Sequence, residues 1–263
     1  MHNILKKICE NKRLEIEILK KRCSLNSLKK LISDQINKRD FKNIVINSKL
    51  EKKNFIIGEI KKASPSAGEI IHNYEPIEIS KIYERAGIKA LSVLTEKNYF
   101  KGEIDHLSYV KQNTNIPILR KDFIIDESQV IESKVIGADC ILLIIACLSR
   151  KKFKSLLDIS KSLDLDVLVE VHDEEELDIA LDFKCNMIGI NNRNLKNFNV
   201  SIETSKVLRK KIMDNSIIVI SESGIKDLKT IKNLNNSNIH AFLIGEGLIT
   251  NDNPEFLLKK LVN

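Results

Sequence analysis

The stretch IGADCILLIIACLSRKKFKSLLDISKSLDLDVLVE, residues 136–170, contains an apolar run, a helix-length amphipathic segment and a second apolar run. The runs, Cys140–Ala146 and Val167–Glu170, read as strands, and the helix between them makes them parallel, joined by a right-handed crossover. The pattern extends in both directions. Phe55–Lys61, Ala90–Thr95 and Ile116–Lys121 precede it, and Met187–Asn191, Ile217–Ser221 and Ala241–Gly245 follow, again with helix-length segments between. Eight such units predict an α/β chain folded as a closed (β/α)8 TIM barrel, in which chemistry belongs at the C-terminal strand ends.

No Pro/Gly/Ser-rich linker divides the 263 residues, which predicts one barrel domain over 1–263 with residues 1–50 as an N-terminal helical extension. In that extension Ile4, Leu5, Ile8 and Cys9, then Ile18, Leu19, Arg22 and Cys23, then Leu25, Leu28, Leu31 and Ile32 recur at helical spacing. Their apolar face is expected to lie across one end of the barrel. Boundary signals agree with the alternation: Asp126 with Gln129 and Asp173 with Glu176 resemble capping boxes, and Asn253 precedes Pro254 as an N-cap. Gly87 and Gly137 stand at helix C-caps, so AGIKALSVLT and IGADCILLII read as two copies of one helix-to-strand join. The segment 62–75 is a long loop containing SPSAG, whose small residues let a ligand approach the backbone.

The five cysteines (9, 23, 140, 147 and 185) show no metal-ligand spacing, their number is odd and no leader opens the chain, which predicts a reduced, cytoplasmic protein. Cys140 and Cys147 read as small core hydrophobes. The longest apolar stretch, Cys140–Leu148, is too short to span a bilayer as a helix. A net charge of +7 raises the question of nucleic acid. However, the amino-terminal positives (Lys6, Lys7, Lys12, Arg13, Lys20, Lys21, Arg22, Lys29, Lys30) are interleaved with Glu10, Glu15, Glu17 and Asp34, and the chain has no Trp. A solvated helix face is the expectation, with an anionic small molecule rather than nucleic acid or a membrane as partner.

Glu59 and Lys61 lie two apart on the first strand and share a face, opposite Ile56, Gly58 and Ile60. If the apolar face meets the helices, both charges point into the barrel, where burial is costly unless they are used or paired. The third strand runs into Arg120 and Lys121, and the fifth ends at Glu170. Asn191, Asn192 and Arg193 end the sixth strand, bringing an amide and a guanidinium suited to a carboxylate or phosphate. The seventh ends in Ser221, Glu222, Ser223 and Gly224, and the eighth in Gly245, Glu246 and Gly247. Glycines after strands seven and eight fit the usual phosphate cradle of this fold. The histidines at 2, 72, 106, 172 and 240 form no HxH or HExxH pattern, no GxGxxG follows a strand, and His172 reads as a loop residue at a helix start. The expected kit is Lys and Glu acid–base groups with a phosphate site, without metal or cofactor.

GEIKKASPSAG (58–68), ALSVLTEKNYFKG (90–102), PILRKDFIID (117–126), LVEVHDEEEL (168–177), IGINNRNL (188–195), ISESGI (220–225) and FLIGEGLI (242–249) closely resemble the indole-3-glycerol phosphate synthase family, in order along the chain. The resemblance implies a decarboxylating carbon–carbon lyase of tryptophan biosynthesis. It would convert 1-(2-carboxyphenylamino)-1-deoxyribulose 5-phosphate to indole-3-glycerol phosphate with loss of carbon dioxide and water and without a cofactor. It further implies Lys121 as the general acid on the sugar carbonyl, its pKa lowered toward neutrality by a crowded cationic site. Glu170 becomes the acid–base carboxylate, and Lys61, paired with Glu59, the acid that expels water. Asn191 would orient the anthranilate end and Ser223 the ribulose chain. Arg193, Gly224, Gly245 and the Glu246 N–H map to the phosphate, with Ser64 and Ser66 on the first loop. Ala67 replaces a Lys usual in the family's SPSKG, and Gly247, where relatives often carry Ser or Ala, is expected to loosen the last helix start. A monofunctional enzyme follows, a monomer or weak homodimer in transient contact with tryptophan synthase. The rival readings are another phosphate-binding barrel, such as phosphoribosylanthranilate isomerase, and a non-catalytic basic binding protein.

Overall fold

The computed structural model describes residues 3–32, 38–51 and 53–262, so that of the positions singled out above His2 and Asp34 lie outside the described residues. Eight parallel strands close on themselves: β1 (Phe55–Ile60), β2 (Ala90–Leu94), β3 (Ile118–Lys121), β4 (Cys140–Ile144), β5 (Asp166–Val171), β6 (Met187–Asn191), β7 (Ile218–Glu222) and β8 (Ala241–Ile244). All eight runs read from the sequence are strands. The fourth is shorter than expected because Ile145–Cys147 turns into a 3-10 helix.

Alternation along each strand sorts side chains into two cores. Ile56, Ile60, Leu91, Val93, Ile141 and Leu143 face outward to the helices, where Tyr83, Ile88 and Leu107 meet them. Phe55, Ile57, Leu119, Leu142, Leu168, Met187, Ile220 and Leu243 fill the interior. Gly58 is required on the outward face, since a Cβ there would sit 2.6 Å from Ile88 Cδ1 and Tyr83 Cδ2. The capping expectations hold at Asp126, which makes the full box with Gln129, and at Asn253, whose Oδ1 accepts from Phe256 N. Asp173 caps through Glu176 N, but the Glu176 carboxylate turns instead to His172. Gly87 and Gly137 have φ values of 92° and 90°, the left-handed helix end that glycine adopts without strain.

The amino-terminal extension covers both ends of the barrel, the apolar face of its first helix lying across one end as expected and a further helix closing the other. Helix α1 (Asn3–Arg22) lies over the C-terminal strand ends, burying Leu5, Ile8, Cys9 and Ile16, while Leu14 and Ile18 stay exposed. A short α2 (Leu25–Lys30) follows, and α3 (Phe41–Leu50) plugs the opposite end with Phe41 and Val45 against the interior core. The basic face of α1 is not wholly solvated. Lys12 is 2% exposed, and its Nζ lies 2.9 Å from Asp122 Oδ1 and 2.8 Å from Glu15 Oε2.

Asp122 also meets Arg120 at 3.2 Å and accepts from Thr95 Oγ1 at 2.6 Å. Burial alone would raise its pKa, but Lys12 and Arg120 hold it down at about 2. Its stabilisation is therefore present above its ordinary value of 3.8 and lost as pH falls through the native value. Lys12→Met leaves the buried carboxylate short of a partner and is expected to destabilise the fold by about 3 kcal/mol at pH 7, read by urea unfolding. The gap to wild type should narrow toward pH 2.

The segment after β1 is not plain loop: Ala63–Ser64 pairs antiparallel with Gly68–Glu69, a small hairpin that presents SPSAG at its tip. Among the described residues no helix is long and apolar enough to cross a membrane.

Candidate functional site

The alternation that fills the interior also builds the site. On the inner face Phe55 and Ile57 lead up to Glu59 and Lys61, Leu119 to Lys121, and Leu168 to Glu170. In the same way Met187 leads to Gly189 and Asn191, Ile220 to Glu222, and Leu243 to Gly245. A cavity of about 390 Å³ opens above them, within the range of about 300–1,000 Å³ usual for small-molecule sites. Leu5 and Ile8 of α1 roof one side, and Phe100, Phe123 and Leu142 supply an apolar wall.

At its floor Lys121 Nζ stands 2.8 Å from Glu170 Oε2 and 3.1 Å from Glu222 Oε2. Beside them Lys61 Nζ is 2.7 Å from Glu59 Oε1. Sequence reasoning expected a cationic neighbourhood that lowers the pKa of Lys121, and the structure corrects it. Burial does pull the value down, but the carboxylates of Glu170, Glu222 and Glu59 outweigh it and hold the ammonium well above its ordinary range. Burial would likewise raise Glu170, yet Lys121 and His172 keep it far below the usual carboxylate range. Lys121 is thus held as an ammonium facing a carboxylate held in its charged form.

Glu222 is the group that sequence reading passed over in favour of its neighbour Ser223. It is buried, its Oε1 has no hydrogen-bond partner, and its pKa is pushed up to about 7, first by burial and then by Glu170 and Glu59 against the pull of Lys121. A signal was present: Ile218, Ile220 and Glu222 are spaced by two, so Glu222 shares their inward face. Two glycines seat the inward carboxylates, since a Cβ at Gly189 would collide with Glu222 Oε1 and one at Gly245 with Glu59 Oε1. Gly189→Ala should push the end of the Glu222 side chain away from Lys121 and lower kcat by about 10²-fold with little change in Tm, because misplacement of about 1 Å suffices for such a loss. Unchanged kcat in a folded variant would contradict this.

A polar tier joins the floor to the rim. Asn191 Nδ2 donates to Glu170 Oε1 at 3.2 Å, and Asn191 Oδ1 accepts from Ser223 Oγ at 2.9 Å and from Arg193 N at 3.0 Å. Ser223 and Gly224 have φ values of 66° and 79°, and the strained serine bends the chain sharply at the rim. Arg193 donates to Ser66 Oγ at 3.2 Å, and its other nitrogen lies 3.6 Å from Glu246 Oε2. Ser64 Oγ lies 3.4 Å from Ser66 Oγ and accepts from Ala67 N. Gly245, Glu246 and Gly247 line the same rim, as does Lys226, which sequence reading did not select. At Gly247 a Cβ would lie 3.0 Å from Ile225 O, so glycine lets the two turns pack together. All twelve candidate residues therefore border one cavity. Among the described residues no group of three His, Cys, Asp or Glu side chains could hold a metal ion.

Residues 5–261 match the family model for indole-3-glycerol phosphate synthase. The chain is 47% identical over 249 residues to a protein of that name from Caldanaerobacter subterraneus subsp. tengcongensis, covering 95% of this chain and 94% of that one. It is 42% identical over 261 residues to the one from Polaromonas naphthalenivorans, covering 99% of each. A solved structure, KGPDC from Streptococcus mutans, superposes with a TM-score of 0.58 at 12% identity over 80% of this chain and 95% of its own, a likeness of fold.

Proposed function

The chain belongs to the indole-3-glycerol phosphate synthase family, decarboxylating lyases of tryptophan biosynthesis, and from that premise we propose how its own residues divide the reaction. The observation that carries the reading is Lys121, buried and charged between Glu170 and Glu222 at the floor of the cavity. The substrate, 1-(2-carboxyphenylamino)-1-deoxyribulose 5-phosphate, lies with its phosphate at the rim. There Arg193, Lys226, the backbone at Gly224 and Gly245, the Glu246 N–H and the Ser64 and Ser66 hydroxyls receive it. Its anthranilate end packs on the apolar wall under Asn191, and Ser223 holds the ribulose chain.

Lys121 gives its proton to the sugar carbonyl as the carboxylate-bearing aromatic carbon attacks, and the C–C bond forms as the C=O π pair becomes a hydroxyl. The high pKa of Lys121 keeps it in the donor form at neutral pH, and the Glu170 carboxylate stabilises the cation left on the ring. Loss of carbon dioxide restores the ring. Lys61, oriented by Glu59, protonates the departing hydroxyl, and Glu170 takes the last proton. Glu222 shares its charge with Lys121 and balances the cluster as protons move.

Single-turnover kinetics test this division. In Lys61→Met carbon dioxide release should outrun the appearance of indole fluorescence, since only dehydration loses its acid. Equal slowing of both signals would remove Lys61 from that step. The same reading includes a cytoplasmic monomer or weak homodimer that meets tryptophan synthase transiently, and sedimentation of the two enzymes together tests that contact.

A further inference from the structure

We propose that His172 is a positioning residue for Glu170, a ring clamped between two carboxylates that fixes which way the Glu170 oxygens point. His172 follows β5 by one residue, outside the set that faces the substrate cavity. Its Nε2 lies 3.2 Å from Glu170 Oε1, and its Nδ1 lies 3.0 Å from Glu176 Oε2, in the first turn of the helix Glu174–Asp182. The Glu176 carboxylate also accepts from His172 N at 2.8 Å, so backbone and ring are held by one anchor. This anchoring is why Glu176 leaves its half of the capping box undone.

The Nε2 contact is an ion contact rather than an aligned hydrogen bond, and Asn191 Nδ2 touches the same Glu170 oxygen. Oε1 is thereby occupied by His172 and Asn191, which leaves Oε2 to meet Lys121. A neutral ring would set an unprotonated nitrogen against one of the two carboxylates. Burial would lower the ring's pKa, but Glu170 and Glu176 raise it to about 10, so the clamp is an imidazolium at neutral pH. The other group set against these carboxylates is Cys147 on the 3-10 turn, whose thiol is pushed well above its ordinary value first by Cys9 and by burial and then also by Glu170 and Glu176. Lys121 stands behind Glu170 on β3.

The inference rests on Glu170 being an acid–base group, and the experiment separates the two. In wild type with ¹⁵N-labelled histidine, one imidazolium should persist beyond pH 8. It should vanish in His172→Gln and move to lower pH in Glu170→Gln. His172→Gln is expected to lower kcat about tenfold with KM within a factor of two. Its loss of Tm relative to wild type should shrink as pH rises from 6.5 toward 10, because a raised native pKa stabilises only while the ring is charged. A His172 ring that titrates in the ordinary range, or a His172→Gln variant with unchanged kcat while Glu170→Gln is inactive, would overturn the positioning role alone. An active Glu170→Gln would instead overturn the assignment of Glu170.

Discussion

Lys121→Met is expected to reduce kcat by about 10³-fold or more while substrate still binds, because it removes the proposed proton donor and leaves the proposed phosphate rim untouched. The same substitution has an electrostatic signature. Glu170, Glu222 and Glu59 face Lys121 from three strands, and without the ammonium they are buried like charges. Glu170 then loses a cation that holds its pKa down and Glu222, already raised, is pushed further up, so both tend to take up protons on folding. Stability of the variant should accordingly be greatest below about pH 4 and decline as pH rises, giving a larger deficit against wild type at pH 8 than at pH 5.5. Urea midpoints at the two pH values read it directly. A deficit independent of pH would mean that Lys121 does not favour the charged form of Glu170.

Glu222→Gln is the second large effect. With a native pKa of about 7 against an ordinary 4.5, Glu222 carries a proton in the folded state that the unfolded chain gives up. Its contribution is fully present below pH 4.5 and is lost as pH rises through 7, so the glutamine variant should lack that slope in stability. In catalysis, the wild-type profile of kcat/KM should carry a limb near neutral pH that disappears in the variant, with kcat lower by about 10²-fold. A limb that survives unchanged would assign the titration to another group.

The inward set was legible because strand alternation is local. Once Ile56, Gly58 and Ile60 are assigned to the helices, Glu59 and Lys61 must point inward. That rule reaches Glu222 as well, through Ile218 and Ile220, but the run read from the sequence ends at Ser221, one residue short of it. The pKa of Lys121 was not legible, since the carboxylates that set it are brought together only by barrel closure. Lys12 looked solvated for the same reason: its partner Asp122 lies far along the chain and beneath α1. Helix α3 falls within the expected helical extension, but its buried face was not legible, because ten residues with a weak apolar period declare it only when Phe41 and Val45 find the open end of the barrel.

The most direct test of the whole account is the stoichiometry of turnover by the wild-type chain with 1-(2-carboxyphenylamino)-1-deoxyribulose 5-phosphate. One carbon dioxide released per indole-3-glycerol phosphate formed, with no conversion of phosphoribosylanthranilate, is the predicted result. A folded sample that forms no indole product, or that isomerises phosphoribosylanthranilate instead, would contradict it.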